Sequence, residues 1–137
     1  MIIGAVKEKK KFENRVSISP DDVKNYVKAG HQVFIEKGAG SLSGFNDKSY
    51  KESGATLSSS KEVFKSSDII LKINCPTPDE SKLIKNNSMV ISQISIQNNQ
   101  DSIKILNTKK ISAFALELVP RELLELKIWI FCPLKQI

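Results

Sequence analysis

The sequence predicts an α/β fold, a mostly parallel sheet flanked by helices, on three observations. Short apolar runs rich in β-branched residues recur along the chain. Helix-compatible segments lie between them. The strand cores, such as Val33-Phe34-Ile35 and Ile69-Ile70-Leu71, are continuous rather than alternating, as in strands covered on both faces. At 137 residues the chain is long enough for one domain with its own core and too short for two ordinary ones.

Each element has a local reason. Ile2–Val6 reads as the first strand; it has no basic lead-in and Lys7 interrupts it, so it does not read as a secretory leader. Ser19-Pro20-Asp21-Asp22-Val23 is a helix start. The serine can cap free N–H groups, proline suits the first helical position, and the two aspartates favour the positive end of the dipole. Val23, Tyr26 and Val27 mark the apolar stripe of that helix, and Gly30 ends it. Further strands are expected at Gln32–Glu36, Asp68–Ile73, Met89–Gln93 and Ile111–Leu116. Further helices are expected at Asp47–Ser53, Ser60–Lys65, Pro78–Lys85 and Asn99–Asn107.

With 40% hydrophobic and 26% charged residues, the composition is that of a folded soluble domain rather than a disordered chain. No apolar run approaches the roughly 20 residues that a membrane span needs. Cys75 and Cys132 have no metal or disulfide spacing, so a reduced, cytoplasmic protein is expected. The net charge of +6 raises the question of nucleic acid. Only Lys7, Lys9, Lys10 and Lys11 cluster, however, and the other lysines are interleaved with Asp and Glu, so no nucleic-acid partner is expected.

Parallel sheets place ligands beyond the carboxyl ends of their strands, which points to the loops after residues 6, 36, 73, 93 and 116. In the first of these, Arg15 is the one arginine before Arg121 in a lysine-rich chain. Either its planar fork holds a carboxylate or phosphate, or it makes a surface ion pair with Glu13 or Glu8. Lys72 interrupts the apolar strand Ile69-Ile70-Leu71-Lys72-Ile73. Either it is buried and paired at a site, or it lies on an edge strand and reaches water along its stem. Glu117, within Ala115-Leu116-Glu117-Leu118, poses the same question. Gly38-Ala39-Gly40 follows a strand but lacks the third glycine and the helix of a dinucleotide fingerprint, and is read as a turn. His31 stands alone at a helix-to-strand turn, and no G-x-S-x-G is present, so neither a metal site nor hydrolase chemistry is expected.

Beyond an α/β domain with an anion-holding loop, a spaced pattern of residues is informative. Gly4-Ala5-Val6-Lys7-Glu8, then Glu13-Asn14-Arg15-Val16, Ser19-Pro20, Val23 and Lys28-Ala29-Gly30, resembles the opening of alanine dehydrogenases and of NAD(P) transhydrogenase alpha subunits. Glu36-Lys37-Gly38-Ala39-Gly40, Phe45, Asp47, Tyr50, Gly54-Ala55, Ile70-Leu71-Lys72-Ile73 and Leu118-Val119-Pro120-Arg121 continue the same pattern. There are departures. Val6 stands where the family usually has proline, and Phe12 where it usually has asparagine. The histidine that alanine dehydrogenases carry after the fourth strand is missing from Ile91-Ser92-Gln93-Ile94-Ser95-Ile96-Gln97-Asn98. That last departure favours transhydrogenase, because amine chemistry needs a proton donor there.

The resemblance implies a Rossmann-like N-terminal domain over residues 1–121, without the NAD-binding Rossmann domain. It implies an intact enzyme that passes hydride between NAD and NADP, coupled to proton translocation through membrane and NADP-binding subunits. Such an enzyme would be a homodimer, cytoplasmic and peripheral at the inner membrane. By the same resemblance Arg121 belongs to the nicotinamide site, while Arg15 and Lys72 match the pair that holds the substrate carboxylate in alanine dehydrogenase. No catalytic residue and no metal ligand is assigned, and tight NAD binding by this chain alone is not expected. An alanine dehydrogenase-like fragment and a non-catalytic binding module are the other readings.

After Arg121 the family pattern R-A-Q is not met, and residues 122–137 form an apolar tail without family character. Back-translated with suitable codons, Glu122–Ile137 read in a shifted frame gives I-T-R-A-Q-N-M-D-I-L-S-S-Q-A-N, which is the missing loop. A frameshift after Arg121, giving a truncated and inactive product, is the expectation.

Overall fold

A computed structural model describes residues 1–118 of the chain. Among these residues, six strands form one all-parallel sheet in the order β3-β2-β1-β4-β5-β6. The elements run β1 (Ile2–Ala5), α1 (Pro20–Lys28), β2 (Gln32–Glu36), α2 (Asp47–Glu52), β3 (Thr56–Ser58), α3 (Ser60–Ser66), β4 (Ile69–Asn74), α4 (Pro78–Leu83), β5 (Met89–Gln93), α5 (Gln100–Thr108) and β6 (Ser112–Ala115). The expected α/β class and the five expected strands are present, Gln32–Glu36 and Met89–Gln93 with the expected ends and the other three with ends shifted by one residue. The sequence reading missed β3.

Alternation along β1 divides the core. Ile3 and Ala5 face one layer with Val23, Val33, Ile35, Tyr50 and Leu71. Val6 joins the other with Val63, Phe64, Ile70, Ile84, Val90 and Leu106. Gly4 has its own reason. A Cβ there would lie 2.0 Å from Ser67 Oγ and 2.8 Å from Val63 Cγ1, so only glycine lets α3 pack this closely on β1.

Helix starts follow the sequence signals. Ser19 and Asp22 form a reciprocal capping box on α1, with proline in the first turn. Thr77 and Glu80 do the same for α4: Thr77 N donates to Glu80 Oε1, and Glu80 N donates to Thr77 Oγ1. Gly30, past the end of α1, has φ 91, the left-handed conformation that glycine adopts without steric penalty.

The strand order reverses direction between β1 and β4. The chain leaves β1 towards β2 and leaves β4 towards β5, so the loops beyond these two central strands part and leave a crevice at their carboxyl ends.

Candidate functional site at the carboxyl ends of β1, β4 and β5

An open cavity of about 500 Å³ occupies that crevice. The loop after β1 contributes Glu8, Lys9 and Lys10, β4 and its following loop contribute Lys72, Asn74 and Cys75, and β5 contributes Gln93. Glu80 reaches in from α4.

Lys72 is the centre of the site. It lies on β4, between β1 and β5, and is 1% exposed, so the edge-strand alternative fails. Its Nζ stands 3.5 Å from Glu8 Oε1 and 3.6 Å from Glu80 Oε2, and all three side chains are buried. Buried ions need partners held by further hydrogen bonds, and both carboxylates have them. Glu8 accepts from the backbone N–H groups of Ile73 and Asn74, at 3.1 Å each. These bonds fall where the register between β4 and β5 shifts, between Leu71 and Asn74. Glu80 has one oxygen committed to the N–H of Thr77. The other, Oε2, accepts no hydrogen bond among the described residues.

Arg15 takes the ion-pair alternative with Glu13. Its Nε and one terminal nitrogen each donate to the Glu13 carboxylate at 2.9 Å, and the arginine side chain is 63% exposed. It does not line the cavity, yet it is joined to it: Glu13 Oε2 accepts from Asn74 Nδ2 at 3.1 Å, and Asn74 N donates to Glu8. The guanidinium hydrogen bond holds the Glu13 carboxyl at about 2, against the opposing pull of desolvation.

Glu117, in the turn after β6, does not line the cavity but holds the loop after β5 that does. Its carboxylate accepts from the backbone N–H groups of Ile94 and Ser95. Desolvation pushes its pKa up, but these amide hydrogen bonds outweigh that and hold it below the usual carboxylate range. Ser95, at φ 48, is bent into the left-handed region beside it.

The Gly38-Ala39-Gly40 segment is a turn. Gly38 has φ 77, and its N–H donates to Asp47 Oδ1; a Cβ on Gly40 would lie 2.7 Å from the Tyr50 ring. No dinucleotide cradle is available there, and the described residues contain no other glycine-rich fingerprint. His31 precedes β2, at the opposite end of the sheet from the cavity. No cluster of three or more His, Cys, Asp or Glu able to hold a metal ion occurs among the described residues. Arg121, Cys132 and the tail 122–137 lie outside the described residues.

The sequence reading found Lys72 from a charge inside an apolar run but missed Glu8 and Glu80 as its partners. A signal existed for Glu80: Thr77-Pro78-Asp79-Glu80 spells a capping box, which fixes one carboxylate oxygen and aims the other.

The comparisons with known proteins agree with this geometry. A family model described as "Alanine dehydrogenase/PNT, N-terminal domain" matches residues 4–129, which runs past Arg121. The alanine dehydrogenase of Methanococcus maripaludis is 40% identical over 120 residues, covering 87% of this chain and 32% of that protein. The NAD(P) transhydrogenase subunit alpha of Haemophilus influenzae is 36% identical over 121 residues, covering 88% of this chain and 23% of that protein. Among solved structures, transhydrogenase from Sinorhizobium meliloti superposes with a TM-score of 0.83 at 30% identity, covering 88% of this chain and 36% of that one. An L-alanine dehydrogenase superposes with a TM-score of 0.79 at 34% identity, covering 84% of this chain and 32% of that one. The chain thus spans a third or less of the two curated relatives. With its sheet order, its crevice and these matches in agreement, the chain belongs to the alanine dehydrogenase/PNT N-terminal domain family.

Proposed function

We propose that the chain is the first domain of a proton-translocating NAD(P) transhydrogenase alpha subunit, and that its crevice faces the nicotinamide site of the intact enzyme. One observation carries the choice over alanine dehydrogenase. The carboxyl end of β5 offers Gln93 and Ser95 to the cavity and no imidazole, and the single histidine, His31, lies at the other end of the sheet. A general acid–base in amine chemistry must lie within hydrogen-bond reach of the reacting group. In this reading Lys72 is the anion-holding group of the crevice. Arg15 supports it through Glu13 and Asn74, and Arg121 belongs to the nicotinamide site.

In this reading NAD and NADP are held by other parts of the enzyme, and hydride transfer requires those parts. The membrane and NADP-binding subunits are its partners and a second alpha subunit its dimer mate, at the cytoplasmic face of the inner membrane. None of the described helices is long and apolar enough to cross a membrane itself. Residues 122–137 are out-of-frame sequence in this reading. Sequencing the coding DNA from the Pro120 and Arg121 codons onward tests that; absence of an R-A-Q loop in every frame sinks it.

A graft tests the function. Residues 1–121 replace the matching segment of the Haemophilus influenzae subunit, and the assembled membranes are assayed for hydride transfer between NAD(H) and NADP(H). Transfer supports the proposal. Pyruvate- and ammonia-dependent NADH oxidation by the same segment, grafted into an alanine dehydrogenase, establishes the other reading instead.

A further inference from the structure

We infer that Glu80 is a specificity-determining residue of the crevice, which sets the site against multiply charged anions. The inference rests on the reading of Lys72 as the anion-holding group. The buried trio of Lys72, Glu8 and Glu80 contains one ammonium and two carboxylates. Glu8 alone balances Lys72, so Glu80 leaves the trio with one excess negative charge. The rim lysines, Lys9 and Lys10, are exposed and screened by solvent, so they offset a buried charge only weakly.

Geometry puts that excess charge where a ligand meets it. The capping box fixes one Glu80 oxygen on Thr77 N, so the side chain cannot swing away. Its second oxygen is buried, lacks a hydrogen bond among the described residues, and stands 3.6 Å from the ammonium in the wall of the cavity. An anion approaching Lys72 therefore also approaches Glu80. Repulsion grows in proportion to ligand charge, so a dianion is penalised twice as heavily as a monoanion in free energy.

The test is a titration of the full 137-residue chain, labelled with nitrogen-15, with acetate and separately with sulfate. The amides of Asn74, Cys75 and Gln93 report binding. Glu80→Gln retains the oxygen that caps α4 and removes the charge; Glu80→Asp retains the charge and weakens the cap. Lys72→Gln is the control for the site itself. In Glu80→Gln, acetate affinity is expected to rise about ten-fold and sulfate affinity about a hundred-fold, because the doubled ligand charge doubles the exponent. Glu80→Asp is expected to keep the wild-type preference for acetate.

Equal gains for both ions, or no gain, would overturn the role of Glu80 while leaving Lys72 as the anion holder. A Glu80→Asp protein that gains affinity as Glu80→Gln does would show that the charge does not set the preference, and would overturn it as well. If neither ion shifts these amides in wild type or in Glu80→Gln, the reading of Lys72 falls and this inference falls with it.

Discussion

Lys72 Nζ and Glu8 Oε1 face each other at 3.5 Å in a buried pair that joins the loop after β1 to the centre of the sheet. Glu8 also takes the N–H groups of Ile73 and Asn74, so this single contact organises the end of β4. Removing the cation leaves two buried carboxylates without their counter-ion. Lys72→Met is expected to lower stability by about 3 kcal/mol or more, the usual loss on breaking a buried pair. Urea denaturation measures it. Adding Glu80→Gln to that variant should recover part of the loss, and strict additivity of the two changes would show that they do not interact.

Acid should act on the Arg15–Glu13 link. Glu13 is held at about 2 in the folded protein, chiefly by the Arg15 hydrogen bond, below its ordinary 4.5. A depressed carboxylate contributes stability that is whole above its ordinary value and lost as pH falls through the folded one. The contribution should therefore fade between pH about 4.5 and about 2, and Glu13→Gln should flatten that limb of the stability curve. An identical acid limb in wild type and variant would rule it out.

Gly4→Ala should cost about 2 kcal/mol, typical of overpacking in a filled core. The added methyl would meet Ser67 Oγ at 2.0 Å and Val63 Cγ1 at 2.8 Å, so trimming Ser67 alone should not restore the wild-type unfolding midpoint.

Phe12 combines two unfavourable features: a left-handed φ of 66 and 89% exposure. Lys11 Nζ, 5.1 Å from the ring centroid, is a weak compensation at such an exposed site. Phe12→Asn should raise stability by about 1 kcal/mol, because asparagine tolerates this conformation. Phe12→Ala, which keeps the Cβ, should gain less. Equal midpoints for the two variants would show that backbone strain is not the source.

Cys75 should be a slow nucleophile. Burial is the main reason that its thiol is pushed up to about 11; Lys72 opposes this, and Glu117 and Glu80 reinforce it. Only the thiolate reacts. In a Cys132→Ser background, alkylation by iodoacetamide at neutral pH should be far slower than for a free thiol and should rise steeply above pH about 9. A fast neutral reaction would contradict the half-buried, desolvated placement of the thiol.

Much of this architecture was legible in the sequence. Val33-Phe34-Ile35 and Ile69-Ile70-Leu71 announce strands because a two-sided burial requirement writes itself as an unbroken apolar run. Thr56–Ser58 does not. It is three residues long, lies at the edge beyond β2 and has one apolar side chain, Leu57, so it looks like the polar stretch after it. The site was half legible for a similar reason. A lysine inside an apolar strand is conspicuous in one dimension. Its partners are set by the strand order and by the aim of a helix cap, and neither is a local property of the chain.

The start of α4 carries a practical consequence for mutagenesis. Thr77 both caps the helix and lines the cavity, so on the proposed reading of the crevice a substitution at Thr77 is expected to change folding yield and ligand preference together. A library sorted by expression alone would discard such variants as unstable and, with them, the changes that most alter what the crevice accepts. Screening this helix start calls for two readouts on every clone.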